Sequence, residues 1–418
     1  MSSPVIDRLW PTSAWLAFML FSSMLVLDKA YNFFSLLLLA LSAAALFARR
    51  PSIDPALRWL VIVLFANVLL AVVNAVLARD GVSGIEKPLK LLLLVPLLLA
   101  VSQRGLRPAF LYAGVAVGAL AAAIGVAYQY HWLNMFRPGI HYNPLPFSEV
   151  AMSMFAVLLG ATITVRGRHR YLYVSGMLAA IYCVLMSGSR GSLLAVFPMG
   201  GVLLLWLCWR GQLRVLMRPR WLLTMVLIAA ASTALVWNNN YFFQRAALVQ
   251  AELQGYFDGR VTQNNVGIRL EMWRGALLAA AEHPLLGIGV QSRHAFIKQR
   301  VEAGDLMPSV LNLHHAHSEY FEGLQTNGLL GLSVTMGLFI IPLWLFLRHL
   351  KNARGEPQGV ALGGAMVVVG YATYALTEVP LHNSLTVMFF AMHLAVALGI
   401  LEYARREANA DNPRQSRQ

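Results

Sequence analysis

The chain has 418 residues, of which 58% are hydrophobic and only 12% charged, with a mean hydropathy of +0.60. A soluble domain carries about twice that share of charge, so a soluble globular fold is excluded and a polytopic membrane protein is expected. A net charge of +14 would suggest nucleic acid for a soluble chain, but here the basic loops that border membrane spans account for it first.

Apolar runs near the length of a bilayer crossing predict twelve helical spans. They lie near 12–28, 31–48, 59–78, 88–103, 108–129, 148–165, 171–187, 191–209, 221–237, 328–347, 359–377 and 385–403. The first follows a short lead containing Arg8 and is followed by further spans, so it reads as a retained span rather than a cleaved signal. Residues 1–403 are expected to form one all-α membrane domain, and 404–418 a polar cytoplasmic tail. Cys183 and Cys208 both fall in apolar spans, where unpaired packing roles are expected.

Alternate connections carry the denser basic residues: Arg8; Arg49, Arg50 and Arg58; Arg104 and Arg107; Arg166, Arg168 and Arg170; Arg210, Arg214, Arg218 and Arg220; Arg348, Lys351 and Arg354; Arg405, Arg406, Arg414 and Arg417. The positive-inside rule puts these, and both termini, in the cytoplasm. The remaining basic residues fall on the outer side: Lys29, Arg79, Lys87, Lys90, Arg137, Arg190 and several in the segment 238–318. They suggest an anionic ligand there, against the plainer reading of snorkelling side chains and headgroup contacts.

In chain order, "GIEKPLKLLLL" places Lys87 and Lys90 at the outer start of the fourth span, suited to pyrophosphate or to snorkelling. "RPGIHYNPLPFSE" (137–149) is a polar outer loop with no evident role. "MSGSRGSLL" (186–194) sets Arg190 before the eighth span, with Ser187, Ser189 and Ser192 able to cap the helix. An arginine at a helix start suits phosphate; an ordinary tight turn is the alternative. The segment 238–318 reads as a helical cap, with Leu270, Trp273, Leu277 and Ala280 on one face of a helix over 267–283. Arg269 and Arg274 flank Trp273 and can grip phosphate, or pair with Glu271.

"HHAHSEYFEGLQTNGLLG" (314–331) then precedes the tenth span. If helical, it puts His314 and His317 on one face, and likewise Glu319 and Glu322. Three readings are open for the histidines: metal ligands, interface residues, or a base that takes a proton from a substrate hydroxyl. His-Glu-x-x-His, a Walker A loop, a Rossmann fingerprint and a Gly-x-Ser-x-Gly elbow are all missing.

Taken together, these motifs resemble the O-antigen ligase and polymerase superfamily. His317, Ser318, nine residues, then Gly328 and Gly331 fit its histidine signature, with Ser318 where Asn is more frequent. Ser189-Arg190-Gly191 resembles its Ser-Arg-Gly turn, and Arg269, Trp273, Pro284, Gly287 and Gly289 its Arg…Trp…Pro-x-x-Gly-x-Gly segment. The resemblance implies an all-α membrane glycosyltransferase of GT-C type that moves a glycan from undecaprenyl pyrophosphate at the periplasmic face. In the ligase branch the acceptor is a sugar hydroxyl of lipid A–core. It implies pyrophosphate binding by Arg190 and Arg269, with Lys87 as a further candidate, and acceptor activation by His317. His314, His315, Glu319, Arg274, Trp273 and Ser189 are candidates for support. It further implies no nucleotide and no metal cofactor. A polymerase, a protein O-oligosaccharyltransferase and, from another class, a twelve-span transporter are the alternatives.

Overall fold

The computed structural model describes residues 4–48, 53–77, 84–211, 254–256, 258 and 265–411, and these are all-helical with no strand. A short α1 (Pro4–Leu9) leads into α2 (Thr12–Ser23), α3 (Ala30–Ala48) and α4 (Pro55–Leu77). There follow α5 (Glu86–Leu92), α6 (Leu94–Arg104), α7 (Pro108–His131), α8 (Pro144–Thr164), α9 (His169–Ser187), α10 (Arg190–Leu194) and α11 (Val196–Trp209). The cap contributes α12 (Asn265–Glu282), α13 (Ser292–Glu302) and a 3-10 turn at Pro308–Val310. Then come α14 (Glu319–Asn352), α15 (Glu356–Tyr374) and α16 (Ser384–Asp411).

Among the described residues, eight helical stretches are long and apolar enough to cross a membrane, and they coincide with eight of the twelve expected spans. Three other expected spans are helical but differ in form. The first is a helix of 12 residues, Thr12–Ser23, followed by turns. The fourth is divided at Leu93, where one helix ends and the next begins. The eleventh is α15, of 19 residues, buried along most of its length. The span near 221–237, together with Arg49, Arg50, Arg79 and most of the segment 238–264, lies outside the described residues.

The centre of the bundle is α8, α15 and α16, which are mostly buried. Gly160 on α8 faces Gly359 and Gly363 on α15, and a Cβ at any of them would press on the opposite backbone. Small residues let helices approach this closely where lipid offers no hydrophobic drive for association. At one end of the bundle, charged groups tie three helices together. Asp54, before α4, meets Arg348 (3.2 Å) and Arg405. Glu402 meets His349 (3.0 Å) and Arg405 (2.8 Å). The last helix continues past 403, where the polar tail was expected to begin, to Asp411.

At the other end, α14 is broken at Gly328, which takes φ 62° and ψ −156°. The break frees backbone groups that a continuous helix would satisfy, and the segment 284–289 takes them up. Leu329 N–H donates to Pro284 O (2.8 Å), Ile288 N–H to Gln325 O (3.0 Å) and Gly289 N–H to Thr326 O (3.0 Å). Non-helical backbone is tolerated in a membrane protein when other protein groups satisfy it in this way. Asn74 of α4 closes the junction, donating to Leu286 O and Thr326 O at 3.1 Å. A side chain at Gly328 would collide with the Leu285 backbone, and one at Gly287 would meet the backbone at Thr326 and Asn327.

Candidate active site

The histidine segment is not helical. Residues 313–318 form bends and irregular backbone, so the helix that would have put His314 and His317 on one face does not form; helix begins only at Glu319. Each bend has a partner. Trp273 Nε1–H donates to Ala316 O (3.1 Å), and its ring stacks on Phe321 at 5.0 Å. Ala316 N–H donates to the Glu322 carboxylate (2.7 Å), and the Ser318 hydroxyl to Ala375 O (3.0 Å). Between these anchors His317 is held at φ 48°, a left-handed conformation that costs a non-glycine residue about 1–3 kcal/mol. The turn brings His315 and His317 together, ring centres 4.2 Å apart.

The His317 N–H donates to His315 Nδ1 (3.4 Å), a bond that needs a neutral ring. Burial, followed by the charge of His317, pushes the His315 pKa down to about 4, consistent with that role.

His317 Nδ1 lies 3.2 Å from one oxygen of Glu378, and Arg269 Nη2 lies 3.1 Å from the other. One carboxylate, 14% exposed, therefore joins the histidine and arginine that sequence reasoning had singled out separately. Because the carboxylate accepts, Nδ1 carries a proton, and in the neutral form of the ring it is Nε2 that holds the lone pair. Glu378 was not anticipated. It follows α15 in a short loop, 61 residues from His317, and nothing in "TEVPLHN" marks it.

That loop is fixed by Glu319, which is buried in the first turn of α14. Its N–H donates to Ala375 O (2.9 Å) and Glu378 O (3.0 Å); its carboxylate accepts from Leu381 N–H and contacts His382 Nδ1, both at 2.9 Å. Packing around His382 opposes its charge, but the Glu319 carboxylate outweighs this and raises the pKa to about 9. Glu319 thus supports the site by holding the Glu378 loop.

Ser189 stands before α10 but makes no capping bond; its hydroxyl lies 3.1 Å from Ser192, which in turn contacts Ser148 at 2.7 Å. Ser187 instead accepts, through its carbonyl, from Arg137 Nε (2.9 Å), which gives the 137–149 loop a role in bracing this turn. Arg190 is exposed, and its neighbour Gly191 packs beside Thr377, next to Glu378. Lys87 meets Glu86 (3.0 Å) and Ser384 (2.8 Å) and, with Glu319, His382 and Asn74, lines a cavity of about 190 Å³. Arg274 is exposed and only 3.9 Å from Glu271, which is buried and accepts from Met307 N–H (2.9 Å). The expected apolar face of α12 is also rotated: Met272, Ala276 and Ala279 are buried, whereas Leu277 is 54% exposed. His314 lies at the mouth of a separate small cavity.

Two comparisons bear on this arrangement. A protein of Haemophilus influenzae described as uncharacterized is 21% identical over 387 residues, spanning 90% of this chain and 94% of its own. The family model described as O-antigen ligase, Wzy_C, matches residues 175–336, a stretch that includes Arg190, Arg269 and His317 and ends before Glu378. Residues 175–336 are thus similar to the O-antigen ligase family, and the match takes in the Ser-Arg-Gly turn, the arginine–tryptophan segment and the histidine motif.

Proposed function

We propose that this protein is an O-antigen ligase that moves a glycan from undecaprenyl pyrophosphate to a sugar hydroxyl of lipid A–core. The observation that carries the reading is the junction of His317 and Arg269 on Glu378, within and beside the family-matched segment. His317 Nε2 accepts the acceptor's proton while Glu378 holds the opposite nitrogen and stabilises the imidazolium that forms. Pyrophosphate is already a good leaving group, so the bond to the anomeric carbon needs mainly charge stabilisation as it breaks. Arg269 and Arg190 supply it, and Lys87 adds a third cation from the wall of the adjoining cavity. A single displacement of this kind inverts the anomeric configuration. Neither nucleotide nor metal enters the scheme.

The proposed setting is the bacterial inner membrane, with both termini cytoplasmic and the histidine end of the bundle periplasmic. The support is the distribution of arginines between alternate connections. The test is direct: purified protein, undecaprenyl-pyrophosphate-linked glycan and lipid A–core, with chelator and without nucleotide. Glycan on lipid A–core that disappears in His317→Ala is the expected result. Longer chains still on the carrier lipid would assign a polymerase instead.

A further inference from the structure

The second cavity, about 100 Å³, lies within the cap. Arg293 lines it, with His294 and His314 at its mouth and Ile297, Val310 and Leu313 among its apolar walls. Arg293 is 7% exposed. Its Nη2 donates to Leu313 O (3.3 Å), its Nε has no partner, and among the described residues no carboxylate lies within ion-pairing distance of it. Glu322 acts on it only through space, its carboxylate accepting from Ala316 N–H. An unpaired buried cation is costly, and proteins rarely retain one without a counter-charge. The first turn of the 11-residue α13 carries Arg293 and His294 into the pocket, so the positive end of that helix adds to the same field.

We propose that this pocket is an anion subsite that takes a phosphate or carboxylate substituent of the acceptor saccharide. The anion site stands on the cavity and its arginine; the saccharide assignment rests on the transfer reading above. Position favours a saccharide over a lipid headgroup. α13 is a polar cap helix, "SRHAFIKQRVE", and His314 lies three residues from His317. The chain between those two histidines spans at most about 10 Å, so an anion held here sits close to the proposed base.

Two measurements test this. In the first, protein in phosphatidylcholine nanodiscs is titrated with glucose 6-phosphate, inorganic phosphate or glucose, and thermal stability is followed. Both anions should raise the melting temperature of the wild type and of Arg293→Lys, less in the latter. Glucose should not, and Arg293→Gln should lose the part of the anion response that survives Arg269→Gln, a change that silences the proposed pyrophosphate site. His294→Ala, at the exposed mouth, should fold normally and bind more weakly. Equal anion binding by wild type and Arg293→Gln overturns the site. Loss of sugar-phosphate binding when phosphatidylglycerol replaces part of the phosphatidylcholine makes a lipid headgroup the occupant and overturns the saccharide assignment.

In the second, transfer is measured to lipid A–core before and after phosphatase treatment. Arg293→Gln should raise KM for the phosphorylated acceptor about tenfold or more, as expected for losing hydrogen bonds to a charged group. It should leave kcat and the treated acceptor unaffected. Equal loss with both acceptors, together with a lower melting temperature, would make Arg293 a structural clamp on Leu313. Sugar-phosphate binding without transfer to any acceptor would refute the transfer reading and leave the anion site standing.

Discussion

Glu378 divides its two oxygens between a guanidinium and an imidazole, and each partner loses something different when it is changed. Under the proposed mechanism His317→Ala removes the base, and kcat should fall about 10²–10⁴-fold in the gel-resolved transfer assay. Glu378→Gln keeps the shape but removes the charge. It should lower kcat less than His317→Ala does in the same assay, since the base stays in place and loses only the charge that stabilises its imidazolium. His382 and His315 predict a pH dependence of stability of opposite sign. His382 has a raised pKa, so its contribution is full below about 6.5 and fades as pH rises through about 9. Because the ring is 44% exposed, that contribution is discounted to about 1 kcal/mol or less, and His382→Gln should flatten the alkaline side of a melting-temperature profile. His315 has a depressed pKa, so its contribution is present above about 6.5 and is lost as pH falls towards about 4. His317 and Arg269 were legible because each sits in a motif. Glu378 was not, because a carboxylate in a short loop acquires its role only when folding brings the end of α15 against the start of α14.

For a single helix the informative case is α14. Its Gly-x-x-Gly was visible, but glycine is common in membrane helices, so the break at Gly328 could not be read from Gly328 and Gly331 themselves. What requires it is the segment from Pro284 to Gly289, whose backbone pairs with the opened turn. Gly328→Ala must adopt φ 62° and displace Leu285, so a loss of at least about 1–3 kcal/mol is expected, read as a lower melting temperature in detergent. α12 shows the complementary failure. Helical spacing located the element, but the apolar stripe chosen, through Leu277, is not the buried one, because the cap packs small residues, Ala276 and Ala279, inward.

Across the whole molecule, the apolar runs foretold the helical bundle well, since length and hydropathy alone determine which segments suit a bilayer. They could not foretell the charged cluster at the end away from His317, which joins residues from Asp54 to Arg405. Glu402 and His349 are both buried in it. Glu402→Gln removes the charge that His349 and Arg405 share, while Arg405 keeps Asp54, so a loss of about 1–3 kcal/mol is expected, the range for hydrogen bonds to a charged group. Thermal unfolding should register this, while KM for donor and acceptor in the folded fraction stays unchanged.

The junction at Gly328 also dictates a chronology. Asn74 leaves the ribosome first, the stretch from Pro284 to Gly289 much later, and Gln325 to Leu330 last, yet each needs the others for its hydrogen bonds. The loop from Pro284 to Gly289 therefore waits, its amides unclaimed, until α14 has been translated and inserted. A nascent chain halted before Gln325 should leave 284–289 open to protease, and one released beyond Leu330 should protect it.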